Sequence, residues 1–277
     1  MRATSTRKHV ILFLAANPRG TTQLALDREA RAIHLELTRS GHRERFDFVT
    51  RWAAEPLDLL RELTELKPTV VHFSGHGGGR GSEAPGPAGA RDVVASAPLP
   101  TEPPGLYFQD AKGSAQVVSS DAIARTFGVA GASVKLVVLN ACYTASIAEA
   151  LLAHVDCVVG MSGAVHDDAA RSFAIGFYNA LGGQESVAAA YEHGKAAVCL
   201  DGLPHADQPQ LLVREGFEAT QLILAAVAPV LRQELRCPYP GMRPYTTDDA
   251  ASFHGRDREI GELLGRLRAG EREIYVI

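Results

Sequence analysis

Residues Lys135-Leu-Val-Val-Leu-Asn-Ala-Cys-Tyr-Thr-Ala-Ser146 decide how the rest of this chain is read. Four apolar residues in a row, Leu136 to Leu139, give way to small and polar ones at Asn140, and Cys142 sits just past the break. A helical pattern follows from Ala145 to Val155. A strand apolar on both faces belongs in the middle of a parallel sheet, and open α/β sheets collect their chemistry beyond the carboxyl ends of such strands. A second stretch, Thr69-Val-Val-His-Phe-Ser-Gly-His-Gly-Gly-Gly79, has the same form and carries His76 in its turn. If the two strands are neighbours, Cys142 and His76 form a candidate Cys-His dyad.

Around these two stretches the chain alternates between strand and helix. His9 to Ala16 reads as a first strand, Leu24 to Arg39 as an amphipathic helix, Arg45 to Trp52 as a strand and Pro56 to Leu66 as a short helix. Gly105 to Asp110 and Ala115 to Val118 read as a hairpin, and Ser119 to Asp121 caps a helix through Phe127. After the cysteine come a strand (Asp156 to Met161), helices over Ala169 to Leu181 and Glu185 to Val198, a short strand at Gln210 to Val213 and a closing helix from Phe217 to Leu235. This order predicts an α/β fold, a mostly parallel central sheet with helices on both faces. Residues 78–104, rich in Gly, Pro, Ala and Ser, read as a mobile loop.

With 277 residues, 46% of them hydrophobic, the chain can bury one large core or a medium core with an attached piece. A net charge of −4 gives no reason to expect nucleic-acid binding. The four cysteines lack the close paired spacing of a zinc site. No apolar run approaches the ~20 residues of a membrane helix. The basic N-terminus leads into only a short apolar run, which suits a first strand better than a signal-peptide core. The expectation is a cytoplasmic protein with reduced thiols, no metal, no cofactor and no membrane or nucleic-acid partner.

In the functional reading, the imidazole takes the thiol proton during attack and later protonates the leaving amine. The glycines beside His76 permit a tight turn, so the Gly77 N–H can join the Cys142 N–H in an oxyanion hole. The helix after Cys142 would bring its positive end near the sulfur. The alternative is that Cys142 is a small buried hydrophobe and His76 a turn residue; spacing alone does not separate the two.

His72-Phe-Ser-Gly-His-Gly-Gly78 together with Leu139-Asn-Ala-Cys-Tyr143 resembles the caspase-like cysteine proteases of clan CD, and among them the CHAT domains. The run from Val158 to Tyr178 is similar to that family's segment after the nucleophile strand, so the resemblance covers roughly residues 9 to 200. It implies a caspase-like three-layer sandwich with His76 as base and Cys142 as nucleophile, acting on a protein substrate. The chain departs from the animal caspase form Gln-Ala-Cys-Arg-Gly at Asn140 and at Tyr143-Thr144, which removes any warrant for cleavage after aspartate. Asp167 and Asp168, with Asn140, are candidates for a specificity pocket that favours Arg or Lys; the alternative for the aspartates is a helix N-cap. A metal at His166 and Asp168 lacks a third ligand, and His72 reads as a core or supporting histidine. Tyr143 and Thr144 are candidates for the pocket floor, with capping of the following helix the simpler role for Thr144.

Tyr239-Pro-Gly-Met-Arg-Pro-Tyr245 with Phe253-His-Gly-Arg-Asp-Arg-Glu-Ile-Gly261 is similar to the opening of STAND-type NTPase modules. In those modules a strand like Ile274 to Ile277 runs into a phosphate loop, which this chain does not contain, so no nucleotide binding is expected of it. The expected division is residues 1–235 as the protease domain and 236–277 as a linker and NTPase fragment. That division implies a larger sensor protein in bacterial signalling or defence, with the NTPase region as regulatory partner. Arg80 and Arg91 make the 78–104 loop a candidate for self-cleavage; a plain insertion is the simpler reading. Two other functions compete: a catalytically silent caspase-like interaction module, and a Rossmann-like nucleotide domain. The turn from Asn17 to Thr22 lacks the glycine spacing the latter needs.

Overall fold

The computed structural model describes residues 8–78, 105–225, 246 and 255–270. By contacts the chain divides into two compact units, Met1–Ala226 and Val227–Ile277. The first holds the strands β1 (His9–Ala15), β2 (Phe46–Arg51), β3 (Val70–Ser74), β4 (Gly77–Gly78), β5 (Gly105–Gln109), β6 (Ala115–Ser119), β7 (Leu136–Asn140), β8 (Cys157–Met161) and β9 (Pro209–Val213). Its helices are α1 (Leu26–Arg39), α2 (Pro56–Leu66), α3 (Ser120–Ala130), α4 (Ala145–Leu151), α5 (Asp167–Gly182) and α6 (Val187–Leu200). In the second unit, α7 (Asp257–Arg268) has no buried residue.

Six strands form the central sheet in the order β2-β1-β3-β7-β8-β9. All pairs are parallel except β8 with β9. The apolar runs read from the sequence occupy the middle of this sheet: every residue of β3, β7 and β8 is buried. Alternate residues feed two cores, as the period of two requires. Ile11, Phe13, Val138 and Val159 pack under α1, α5 and α6. Leu12, Leu14, Val71, Phe73, Val137 and Leu139 pack under α2, α3 and α4. At about 1.5–3 kcal/mol per large side chain removed from water, these two layers dominate the stability.

β3 and β7 are direct neighbours, with Ser74 opposite Asn140 at their carboxyl ends. The expected hairpin is part of a three-stranded antiparallel sheet, β4-β5-β6, because Gly77 and Gly78 pair with β5. α4 is shorter than expected: it ends at Leu151, and a turn through His154 carries the chain into β8. Residues 217–225 are turns where the sequence suggested the start of a closing helix. Their carbonyls serve another element, since Leu222 and Ala219 accept the N–H groups of Val187 and Ala188 at the start of α6. The remainder of that helix, residues 79–104 of the loop, the linker at 237–245 and the strand at 273–277 lie outside the described residues. No described helix is long and apolar enough to cross a membrane.

Candidate active site

The ends of β3 and β7 deliver His76 and Cys142 to one cavity of about 330 Å³, lined among others by Thr22, Glu29, Asn140 and Asp167. Two glycines make the close approach of the strand ends feasible. A Cβ on Gly75 would stand 2.6 Å from the Ala16 carbonyl oxygen, and one on Gly77 would overlap the carbonyl oxygen of Cys142. Beyond β7 the chain turns sharply. Tyr143 takes a left-handed φ of 56°, a conformation that costs a non-glycine residue about 1–3 kcal/mol and is held by its surroundings. Here the Tyr143 N–H donates to the Gly163 carbonyl at 3.1 Å. Buried Thr144 sits at the N-cap position of α4, yet its hydroxyl serves the sheet, accepting the Met161 N–H at 2.9 Å and donating to the Ala141 carbonyl at 3.1 Å.

His76 is nearly buried, and its Nε2 lies 2.8 Å from the Thr22 carbonyl oxygen. A carbonyl only accepts, so Nε2 carries the proton and the lone pair of the neutral ring is on Nδ1. Burial lowers the imidazole pKa below its usual 6.5, against the opposing pull of the Thr22 carbonyl and the Asp167 carboxylate. The ring is therefore neutral at pH 7 and able to accept a proton.

Cys142 is half-buried, and its sulfur receives the Val165 N–H at 3.4 Å. That amide, rather than the seven-residue α4, is the donor that meets the sulfur. The other described cysteines are poor candidates: Cys199 is exposed on α6, and burial, with nearby Asp156, pushes the Cys157 thiol up to about 12. Among the described residues no hydrogen bond joins the imidazole to the thiol, and such bonds often tighten only around substrate.

Two backbone N–H groups beside these residues have no acceptor among the described residues. Tyr107 donates its N–H to the His76 carbonyl, and bonded and non-bonded residues alternate along an antiparallel ladder. Gly77, opposite Leu106, therefore turns its N–H away from β5. The Cys142 N–H has no acceptor among the described residues.

The two aspartates part company at the start of α5. Asp167 lines the cavity and accepts the Ala25 N–H at 3.1 Å. Asp168 turns away: its carboxylate is largely exposed and pairs with Arg171 at 2.6 Å. Asn140 lines the cavity but is buried, its amide donating to Glu29 at 2.6 Å and to the Ala170 carbonyl at 3.3 Å. None of the described residues lining the cavity is Lys or Arg. His166 lies tilted against His205, with ring centroids 5.0 Å apart, and no described trio of His, Cys, Asp or Glu is placed to hold a metal ion.

Sequence reasoning did not find two residues. Thr22 orients His76 through a backbone carbonyl, which has no side-chain signature. Glu29, a fully buried carboxylate under the cavity, had one: it lies on the apolar face of α1 with Leu26, Ala30 and Ile33. It accepts His72 Nε2 at 2.9 Å, Asn140 and the Ser74 hydroxyl. Burial alone would raise its pKa, but those hydrogen bonds and the charge of His72 outweigh it and hold the group below its ordinary 4.5. His72 is thus a supporting histidine, with Nδ1 3.0 Å from the Tyr178 hydroxyl.

No curated protein matches the sequence. Among solved structures, a secreted C11 cysteine protease from Bacteroides thetaiotaomicron, in complex with an irreversible peptide inhibitor, is similar at TM-score 0.48 and 11% identity. The likeness covers 74% of this chain and 66% of that one, so the chain spans a little under two thirds of that protease. The family model of the CHAT domain matches residues 2–211, most of the chain. This chain belongs to the CHAT domain family.

Proposed function

We propose that the chain is a cysteine endopeptidase in which Cys142 attacks a peptide carbonyl and His76 moves the proton. The observation that carries this reading is the placement of His76 and Cys142, each two residues past the paired positions Ser74 and Asn140, on one cavity. Nδ1 of neutral His76 takes the thiol proton as sulfur bonds to the carbonyl carbon. The oxyanion that forms is received by the N–H groups of Gly77 and Cys142, neither committed to the ladder or to another acceptor among the described residues. The imidazolium then protonates the leaving amine, and water, deprotonated by the same nitrogen, hydrolyses the thioester.

A cavity wall that carries Asp167 and, among its described residues, no lysine or arginine supports a basic residue before the scissile bond, with Asp167 as the selecting group. Asp168 has no part in this proposal, because its carboxylate belongs to Arg171. The similarity of residues 239–261 to the opening of STAND-type NTPases supports regulation by an attached NTPase sensor, in cytoplasmic bacterial signalling or defence. The test is labelling by a panel of acyloxymethyl-ketone peptide probes on the wild type, Cys142→Ala and His76→Ala. Labelling by an Arg or Lys probe that disappears in Cys142→Ala is expected, and labelling only by another probe removes the Asp167 assignment. The second reading, a silent interaction module, draws on the missing imidazole–thiol hydrogen bond, and labelling by no probe would favour it.

A further inference from the structure

We infer that Glu29 is a positioning residue for the dyad: its carboxylate ties the end of the His76 strand to the end of the Cys142 strand. The role rests on the endopeptidase reading above. Ser74 and Asn140 are partners across β3 and β7, and each precedes its dyad residue by two positions. Parallel strands are joined there by slanted backbone bonds alone, and the ladder stops where the chains leave the sheet. Glu29 reaches down from α1 to this last rung. One oxygen accepts the Ser74 hydroxyl and the other accepts the Asn140 amide. A single group thus spans both strands at the point from which both site residues depart.

Only a carboxylate suits the position. Oε1 takes two donors, from Asn140 and His72, and Oε2 takes one, from Ser74. An ionised carboxylate offers about four acceptor sites, whereas a glutamine offers one acceptor oxygen and brings two donors of its own. Glu29→Gln therefore strands at least one of the three donors in a buried site, or turns an N–H onto an N–H. The clamp is itself held on its outer side. His72 occupies the remaining flank, stacked on Phe13 at 5.0 Å between ring centroids and bonded onward to Tyr178 of α5. The start of α1 is tied to α5 by the Ala25 N–H on Asp167. Every partner of Glu29 is buried, so a donor left there without its acceptor is costly. Nothing in the proton transfer itself requires Glu29, which touches neither His76 nor Cys142 by hydrogen bond.

The test reads the dyad without a substrate. Alkylation of Cys142 by iodoacetamide is followed by mass spectrometry from about pH 5 to about pH 9, in the whole chain, for the wild type, His76→Ala, Glu29→Gln, Ser74→Ala and Leu63→Ala. Leu63, on the buried face of α2, belongs to the other core, so its loss lowers the melting temperature without touching the site. The expected result is that Glu29→Gln slows Cys142 alkylation at neutral pH by about tenfold and gives a pH profile like that of His76→Ala. Ser74→Ala, which removes one strut, falls in between, and Leu63→Ala keeps the wild-type profile despite its lower melting temperature. A wild-type profile in Glu29→Gln overturns the proposal. If Glu29→Gln does not fold, a wild-type profile in Ser74→Ala overturns it equally. Coincident profiles for the wild type and His76→Ala would instead remove the dyad, and the positioning role with it.

Discussion

Gly77 is the position where a single methyl group tests the geometry of the whole site. In Gly77→Ala the new Cβ would overlap the Cys142 carbonyl oxygen, with Thr144 Cγ2 at 3.1 Å and the Ala141 Cβ at 3.3 Å closing the other sides. The obstructing atom is backbone, held on a turn whose next residue is already left-handed, so it cannot rotate aside. Restoring an ordinary contact means moving one strand end by about 1 Å relative to the other. Overpacking of this kind costs about 1–3 kcal/mol. For a domain of this size each kcal/mol lowers the melting temperature by about 2–4 °C, so a loss of about 2–12 °C is expected. The displacement falls beside His76 and on the carbonyl of Cys142, where, under the proposed mechanism, a shift of that size costs about a hundredfold in rate. Gly41→Ala is the control, because a Cβ there meets nothing within 4 Å. Differential scanning fluorimetry and the rate of peptide-probe labelling are the two assays. If Gly77→Ala matches Gly41→Ala in both, the strand ends are not packed as described and the proposed oxyanion site falls with them.

Burial lowers the pKa of His76 below 6.5, so the unfolded chain binds more protons than the folded one in the window just beneath that value. Stability therefore rises with pH through that window and falls as the solution is acidified; the melting temperature of His76→Gln should lack this component, and probe labelling of the wild type should persist below pH 6.5. Asp167→Asn is expected to lose preference for Arg or Lys probes with little change in melting temperature, since an amide oxygen can still accept the Ala25 N–H, while Asp168→Asn should leave labelling unchanged. Equal probe preference in both variants would refute the assignment. With its thiol at about 12, Cys157 should resist iodoacetamide until the protein unfolds, and peptide mapping of the native protein would show modification of Cys142 and Cys199 instead.

The elements were legible where local chemistry decides them. Pro56 to Leu66 reads as a helix and is one, with Pro56 at its first position, where its missing N–H costs nothing. Ser119 caps α3 through the Ala122 N–H, as a serine before a helical pattern should. The buried strands announced themselves by being apolar on both faces, and that pattern also put Cys142 and His76 at strand ends. The errors came where distant groups compete for the backbone. Residues 217–225 have helical composition, but their carbonyls cap α6 instead. Thr144 stands where a cap belongs and spends its hydroxyl on β8.

Sequence by itself determined the α/β class, the two strands that matter and the candidate dyad, because hydrophobic period and turn residues are local properties. Only the tertiary structure decided which carbonyl orients His76, which of two adjacent aspartates faces the cavity and why a glutamate lies on the apolar face of α1. Those answers depend on hydrogen bonds between residues far apart in the chain, such as Asn140 with Glu29 and Asp167 with Ala25. A buried polar group takes whatever partner the packed layers bring to it, and that partner is chosen by the fold.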